Sequence, residues 1–571
     1  MDTTMPRREK KDAPADARSQ TRRPGGWSII VALILALTLV PLLAIAWRAN
    51  GDSTGVWPHI LANVLPASTL TTVTLLAGVG VMTLVIGTVP AWLVCRYNFP
   101  LRRIYDWALV LPLAIPTYIA AYTWGEFADY TGPLQSALRV LAGFQTSRDY
   151  WFPDIRSTGG AIFLISLVLF PYVYLPARLS FRHQGVELLD AARLLGAGPM
   201  RLFFRVGLPA ARPAIAVGII LTLMETLNDI GAVEYLGVRT LTFSIFDTWL
   251  NRSSLAGAAQ LSLVLLVVVF AFVILEKHFR RERSFQAPRG HLAPVEPIRL
   301  STGRGILASI ACGLPLLLGF LVPFGQLIHF TFIRPNQIAD EKLISALLNT
   351  LTVSLLTAAL CVTAGFLLVY AARRSPKQRY RQLLRFAGIG YAIPGTILAI
   401  GMLTALTAFD NFISNLIEAM TGAGTGLLLS GTMTIIIYAC SVRFLAVAIG
   451  NIEAGYEKIS TNLMAAARSL GRSESQALRT IEIPLLSKTL GVAALFVFVE
   501  TSKELSATIL LRPFNFDTLA TFIYERATRA VFEQAGLASL LIVIVGLIPV
   551  YLLTSAINMD KSSQTKKANR E

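Results

Sequence analysis

Long apolar runs separated by short polar stretches set the rhythm of this chain. Runs of about 20 residues, enough for a helix to cross a bilayer, begin near Trp27, Ser68, Tyr105, Gly159, Pro213 and Leu255. A second series begins near Ile306, Ser345, Leu383, Gly426, Lys488 and Gly536. Hydrocarbon offers no partner to a backbone amide, so single runs of this length predict helices. The pattern predicts an all-α polytopic membrane protein with about twelve transmembrane helices. The run from Trp27 to Trp47 holds an AIA triplet like a cleavage site. It is too long for a signal-peptide core and follows a long polar tail, so it is expected to remain as the first span.

Composition strengthens this reading: 54% hydrophobic and 15% charged residues, with a mean hydropathy of +0.59, leave too much apolar surface for a soluble chain of 571 residues. A net charge of +17 would also suit a nucleic-acid binder, so the placement of the bases decides. They concentrate in the loops around Arg96, Arg102 and Arg103, and from Arg178 to Arg212, Lys277 to Arg283, Arg373 to Arg385 and Lys458 to Arg479. The alternate loops, Trp124 to Thr158 and Ala408 to Gly424, carry at least as many acids as bases. The positive-inside rule then puts the basic loops and both termini in the cytoplasm. The charge is topological, and nucleic acid is not an expected partner. Cys95, Cys312, Cys361 and Cys440 are far apart, as are His59, His183, His278, His291 and His329. Neither set has the spacing of a disulfide framework or a zinc site.

The chain repeats itself. DAARLLGAGPMRLFFRVGLP (Asp190 to Pro209) matches AAARSLGRSESQALRTIEIP (Ala465 to Pro484) without a gap, 275 residues on, and ETLNDIGAV (Glu225 to Val233) matches ETSKELSAT (Glu500 to Thr508) at the same offset. TTVTLLAG (from Thr71) resembles LTVSLLTA (from Leu351), and AIPTYI (from Ala114) resembles AIPGTI (from Ala392). Six spans per repeat is an even number, so two pseudo-symmetric six-helix halves share one orientation, related by an axis along the membrane normal. The expected divisions are a cytoplasmic tail (1–26), a first half (27–275), a charged cytoplasmic linker (276–304), a second half (305–557) and a cytoplasmic tail (558–571).

Both copies of the cytoplasmic repeat resemble the EAA loop of ABC-importer permeases, whose pattern is E-A-A, three residues, G, nine residues, I, one residue, L-P. Here it falls on Asp190, Ala191, Ala192, Gly196, Val206, Leu208 and Pro209, and on Ala465, Ala466, Ala467, Gly471, Ile481, Ile483 and Pro484. The acidic first position is aspartate in one copy and alanine in the other. The resemblance implies a type I ABC importer permease whose loops dock short helices into a groove of an ATPase subunit, small residues allowing the close approach. The likeness is closest to fused, double-length ferric-iron permeases, carried by VLPLAIPTYIAAYTW (from Val110), AVEYLGVRTLTFSIFDTW (from Ala232) and KELSATILLRPFNFDTLAT (from Lys503). It implies two ATPase copies, a periplasmic substrate-binding protein and location in a bacterial inner membrane. No GxxxxGK[ST] occurs, so ATP is expected to be used by the partner subunit, with no cofactor bound by this chain.

Glu225 and Asp229 stand four residues apart in an apolar run, as do Glu500 and Glu504, a spacing that puts each pair on one helical face. A carboxylate facing lipid costs about 2.5–3.5 kcal/mol on insertion scales, so these four, with Glu234 nearer the outer mouth, are candidates to line the translocation path. Ferric ion favours oxygen ligands; a stable metal site is not expected. The competing reading is that these acids cap helices or pair with Lys503 and Arg512. Pro112, Pro116 and Pro394 interrupt helical bonding within the runs and are candidate gate hinges or plain packing kinks. Thiamine, polyamine, sulfate and phosphonate stay open as cargo. A secondary transporter or channel would share twelve spans and a repeat but would not need two matched docking loops.

Overall fold

Proline and glycine, as much as hydrophobicity, decide where these helices start and stop. The computed structural model describes residues 26–53, 55–184, 191–286, 297–374, 384 and 386–568. Among them ten helices are long and apolar enough to cross a membrane, and two bent pairs bring the number to twelve. The first half contains Ile29–Arg48, Trp57–Arg96, Arg102–Ala114 with Thr117–Phe127, Thr158–Leu169 with Pro171–Arg182, Pro199–Asn228 and Leu255–Arg280. The second contains Thr302–Ile333, Glu341–Arg374, Gly395–Thr421, Met433–Glu457, Glu474–Ser502 and Phe532–Leu552.

The order expected from the apolar runs is preserved, but several starts move. The run expected from Leu383 is broken: residues 384, 386 and 387 are helical and Gly388–Ala392 form a 3-10 turn, but the long helix starts only at Gly395, where Pro394 is extended (ψ 138°) and acts as its N-cap. The run expected from Lys488 begins as a helix at Glu474, where Ser473 and Gln476 form a capping box in the polar stretch ahead of the apolar one.

Four helices widen locally into π turns, at Ile60–Val64, Phe203–Gly207, Leu317–Leu321 and Leu478–Glu482. Each is followed, two residues on, by a proline: Pro66, Pro209, Pro323 and Pro484. Proline lacks the N–H that the carbonyl four residues back requires, and its ring crowds that carbonyl. Widening the turn relieves both, the residue before the proline bonding five residues back instead of four.

Within each half three helices pack as one group: Leu65–Arg96, Pro171–His183 and Leu208–Asn228 in the first, Glu341–Arg374, Met433–Glu457 and Ile483–Ser502 in the second. The repeat is visible in single bonds. The Leu241 N–H donates to Thr72 Oγ1 (2.9 Å), and the Leu519 N–H donates to Thr350 Oγ1 (2.7 Å).

The lead helix of each half crosses to the other. Gly26–Arg48 packs on Gly395–Thr421, with Tyr438 Oη donating to the Leu37 carbonyl (2.6 Å). A Cβ at Gly401 would lie 2.4 Å from the Pro41 carbonyl oxygen, so glycine is what permits the crossing. In the mirror contact Trp124 Nε1 donates to the Leu318 carbonyl (3.1 Å). The expected linker is partly structured: the last helix of the first half runs on to Gln286, and Ile298–Arg299 pair in parallel with Tyr97–Asn98.

Candidate translocation cavity and docking loops

Two helices end in the interior at equivalent places. Leu208–Asn228 stops before Asp229, which is extended (ψ 102°), and Ile483–Ser502 stops before Lys503. Here the expectation from spacing needs correction: Asp229 and Glu504 lie beyond the helices that carry Glu225 and Glu500, so neither pair shares a helical face. The reason is competition for backbone N–H groups. Asp229 Oδ1 accepts from the Ala232 N–H (2.9 Å), and Glu504 accepts from the Ala507 and Thr508 N–H groups (2.8 and 3.0 Å) and from Thr508 Oγ1 (2.6 Å). Each carboxylate thereby caps the next short helix, Gly231–Tyr235 or Thr508–Leu511.

The break brings the four acids together instead. Glu225, Asp229, Glu500 and Glu504 all line one cavity of about 110 Å³ between the halves. Its wall also includes Asn228, Arg443, Lys503 and the extended segment from Ile115 to Thr117. Arg443 Nη1 bonds Glu504 Oε1 (2.8 Å), and Lys503 Nζ lies 2.9 Å from Glu500 Oε1. Glu225 Oε1 accepts from Tyr391 Oη (3.0 Å), whereas Asp229 Oδ2 has no hydrogen-bond partner among the described residues. Capping and ion pairing, the competing reading of these acids, thus describe Asp229, Glu500 and Glu504, although all four face the cavity. Arg512 bonds Asp517 and none of the four. Among the described residues no three His, Cys, Asp or Glu side chains converge to hold a metal.

The halves close over one another beside this cavity. Asn228 Oδ1 accepts from the Gly395 N–H (2.8 Å), its carbonyl accepts from Ser506 Oγ (2.8 Å), and Tyr118 Oη donates to the Lys503 carbonyl (3.5 Å). A Cβ at Gly231 would come 2.6 Å from Leu505 Cδ2, and one at Gly395 would come 2.6 Å from Arg443 Nη1. Glu234 is not in the cavity wall; its Oε1 accepts from Tyr524 Oη (2.7 Å), a further bond between halves. The candidate hinges sit at helix starts rather than within helices: Pro112 in the first turn of Leu111–Ala114, Pro116 and Pro394 as N-caps of Thr117–Phe127 and Gly395–Thr421.

Reasoning from sequence passed over Asn228, Tyr391 and Arg443. Arg443 carried a signal, since a lone cation in the apolar run YACSVRFLAVA needs an internal partner. Asn228 and Tyr391 carried none, being ordinary polar residues until the halves are packed.

The cytoplasmic repeats share a backbone. Gly196 and Gly471 are both left-handed, with φ of +78° and +77°. The Ala197 N–H bonds the Ala192 carbonyl (3.0 Å), and the Arg472 N–H bonds the Ala467 carbonyl (3.1 Å), so both helices end in a Schellman-type turn closed by glycine. Immediately before each glycine an apolar side chain is almost fully exposed, Leu195 at 89% and Leu470 at 82%. Ala191 and Ala466 are exposed and Ala467 is buried, while Asp190 and the side chain of Ala465 lie outside the described residues. Leu208, Pro209, Ile483 and Pro484 open the helices that lead back to the cavity, so one continuous rod joins each loop to its acid.

Comparison with known proteins agrees with this architecture. Residues 83–284 match the family described as binding-protein-dependent transport system inner membrane component. The Fe(3+)-transport system permease protein FbpB 2 of Haemophilus influenzae is 26% identical over 543 residues, covering 93% of this chain and 98% of that protein. The probable ABC transporter permease protein y4fN of Sinorhizobium fredii is 23% identical over 545 residues, covering 90% and 92%. The molybdenum transport system permease protein ModB of Escherichia coli K12 is 29% identical over 200 residues, 34% of this chain and 82% of its own. Residues 83–284 thus match an inner-membrane component of binding-protein-dependent transport systems, and over nearly its full length, with its twelve candidate spans and duplicated loop, this chain is similar to permeases of ABC transporters.

Proposed function

We propose that this permease carries ferric iron from periplasm to cytoplasm by alternating access, driven by two copies of a separate ATPase that bind the loops at Ala191–Pro209 and Ala466–Pro484. Its termini are cytoplasmic, a periplasmic binding protein delivers the cargo, and this chain holds neither ATP nor a cofactor of its own. The observation that carries the docking reading is the matched pair of left-handed glycines, each behind an exposed leucine. One ATPase surface can receive both loops because the loops have the same shape. The rod from each loop to Glu225 or Glu500 gives ATP-driven movement a mechanical route to the cavity.

Support for iron comes from the cavity's charge and from the full-length relative named for Fe(3+) transport. Four carboxylates face two cations, Arg443 and Lys503, each already paired. Oxygen atoms with neither hydrogen bond nor ion pair among the described residues remain on Glu225, Asp229 and Glu500, which suits a hard cation better than an oxyanion such as molybdate or sulfate. The deciding experiment is ATP-dependent uptake into proteoliposomes holding this chain, its ATPase and its binding protein, with ferric iron, molybdate, sulfate and thiamine offered separately. Saturable iron uptake supports the assignment. Uptake of another solute and not iron keeps the permease and replaces the cargo.

A further inference from the structure

One element belongs neither to the bundle nor to the cavity. The helix Pro133–Ala142 lies between the spans that end at Phe127 and begin at Thr158, on the membrane side opposite the docking loops. Its polar residues are turned inward and held. Gln135 Nε2 donates to the Ala128 carbonyl (2.8 Å), and Gln135 Oε1 accepts from Tyr150 Oη (2.7 Å). Arg139, the one charged residue of the helix, donates to the Tyr130 carbonyl (2.8 Å), with its guanidinium 4.1 Å from the centre of the Tyr130 ring.

The opposite face is apolar and bare. Pro133, Ala137, Val140 and Leu141 follow the i, i+4, i+7, i+8 spacing of one helical stripe and are all exposed, Val140 at 83% and Leu141 at 87%. Trp151, in the same loop, is 85% exposed. A ten-residue helix has little stability alone, so the inward bonds fix a stripe that points away from the protein. Such a stripe in water would be a liability.

We propose that Pro133–Ala142 is an interfacial helix, lying in the headgroup and upper acyl region of the leaflet opposite the docking loops. Chain connectivity favours lipid as the occupant: both neighbouring segments are membrane spans, so the helix starts only six residues from one of them. Its chemistry agrees. The stripe carries no charge, and the loops on either side of the helix supply the exposed Tyr130 and Trp151, residues of the kind that settle at a membrane–water boundary. The anchor holds the outer end of Thr117–Phe127, whose inner end lines the cavity.

The test is nitroxide labelling of Val140→Cys and Leu141→Cys, with Gln145→Cys as an exposed reference just beyond the helix, in the complete transporter in liposomes. Unlabelled-site background is set by the unsubstituted chain, whose four cysteines are buried. Expected is a ratio of oxygen to nickel-chelate collisions several-fold higher at 140 and 141 than at 145. Equal ratios at all three positions overturn the proposal. So does immobilisation of the two labels by added binding protein in detergent, which would make the stripe a protein-docking face.

Discussion

Arg443 Nη1 reaches Glu504 Oε1 at 2.8 Å, joining the middle of one span to the first residues after the end of another. Both side chains are nearly inaccessible, at 9% and 2% exposure. The pair holds Glu504 where it caps Thr508–Leu511, so it shapes the cavity as well as lining it. Removing one member of a buried pair strands the other charge, at a cost of about 3–5 kcal/mol. Arg443→Met is expected to lower the midpoint of thermal unfolding in detergent clearly. Adding Glu504→Gln to Arg443→Met should recover most of the loss. Equal midpoints for Arg443→Met and the unsubstituted chain would mean that the pair contributes no stability.

The contact at Gly231 is where the halves leave no room. A Cβ there would lie 2.6 Å from Leu505 and 2.8 Å from Tyr118. Gly231→Ala should therefore hold the halves apart and reduce uptake, while Gly231→Ala with Leu505→Ala should regain much of it because the truncated leucine clears the space. Failure of the second change to help would place the damage elsewhere, at Tyr118.

How much of this could be read from the sequence differs by level. The twelve runs, their grouping into sixes and the duplicated loop were legible because each rests on a local pattern that lipid enforces over tens of residues. The acids were legible as a group through the cost of burying charge. Their arrangement was not: a spacing of four implies a shared face only while the helix continues, and at Asp229 and Glu504 the carboxylate itself ends it by bonding backbone N–H groups further on. The crossing of the lead helices was also hidden, since an apolar helix shows no preference for one half until Gly401 is seen against Pro41.

The glycines of the two loops proposed to dock the ATPase make a two-copy test. In the left-handed region a residue with a β-carbon is disfavoured by about 1–2 kcal/mol, and no neighbouring atoms crowd Gly196 or Gly471. Gly196→Val and Gly471→Val should therefore unwind the loop turns without disturbing the bundle. Each single change is expected to weaken co-purification of the ATPase, and both together to abolish it, with thermal stability of the isolated permease nearly unchanged. Leu195→Asp and Leu470→Asp should weaken the same association while leaving the backbone intact. Normal ATPase binding by the doubly substituted glycine variant would remove the docking role from these loops.

Glu225 separates charge from structure more cleanly than the other cavity acids. It caps no helix; its carboxylate accepts from Tyr391 and otherwise faces the cavity. Glu225→Gln keeps an acceptor for the tyrosine and removes the negative charge. Ferric uptake should fall about tenfold, equivalent to about 1.4 kcal/mol, with ATPase binding and thermal midpoint unchanged. Glu500→Gln does more, because it frees the Lys503 ammonium 2.9 Å away and adds an unpaired positive charge to the wall. That variant should transport less iron than Glu225→Gln, and Glu500→Gln with Lys503→Met should transport more than Glu500→Gln alone. If Glu225→Gln carries iron at the normal rate, the charge of Glu225 plays no part in passage, and its carboxylate serves only to bind Tyr391 across the two halves.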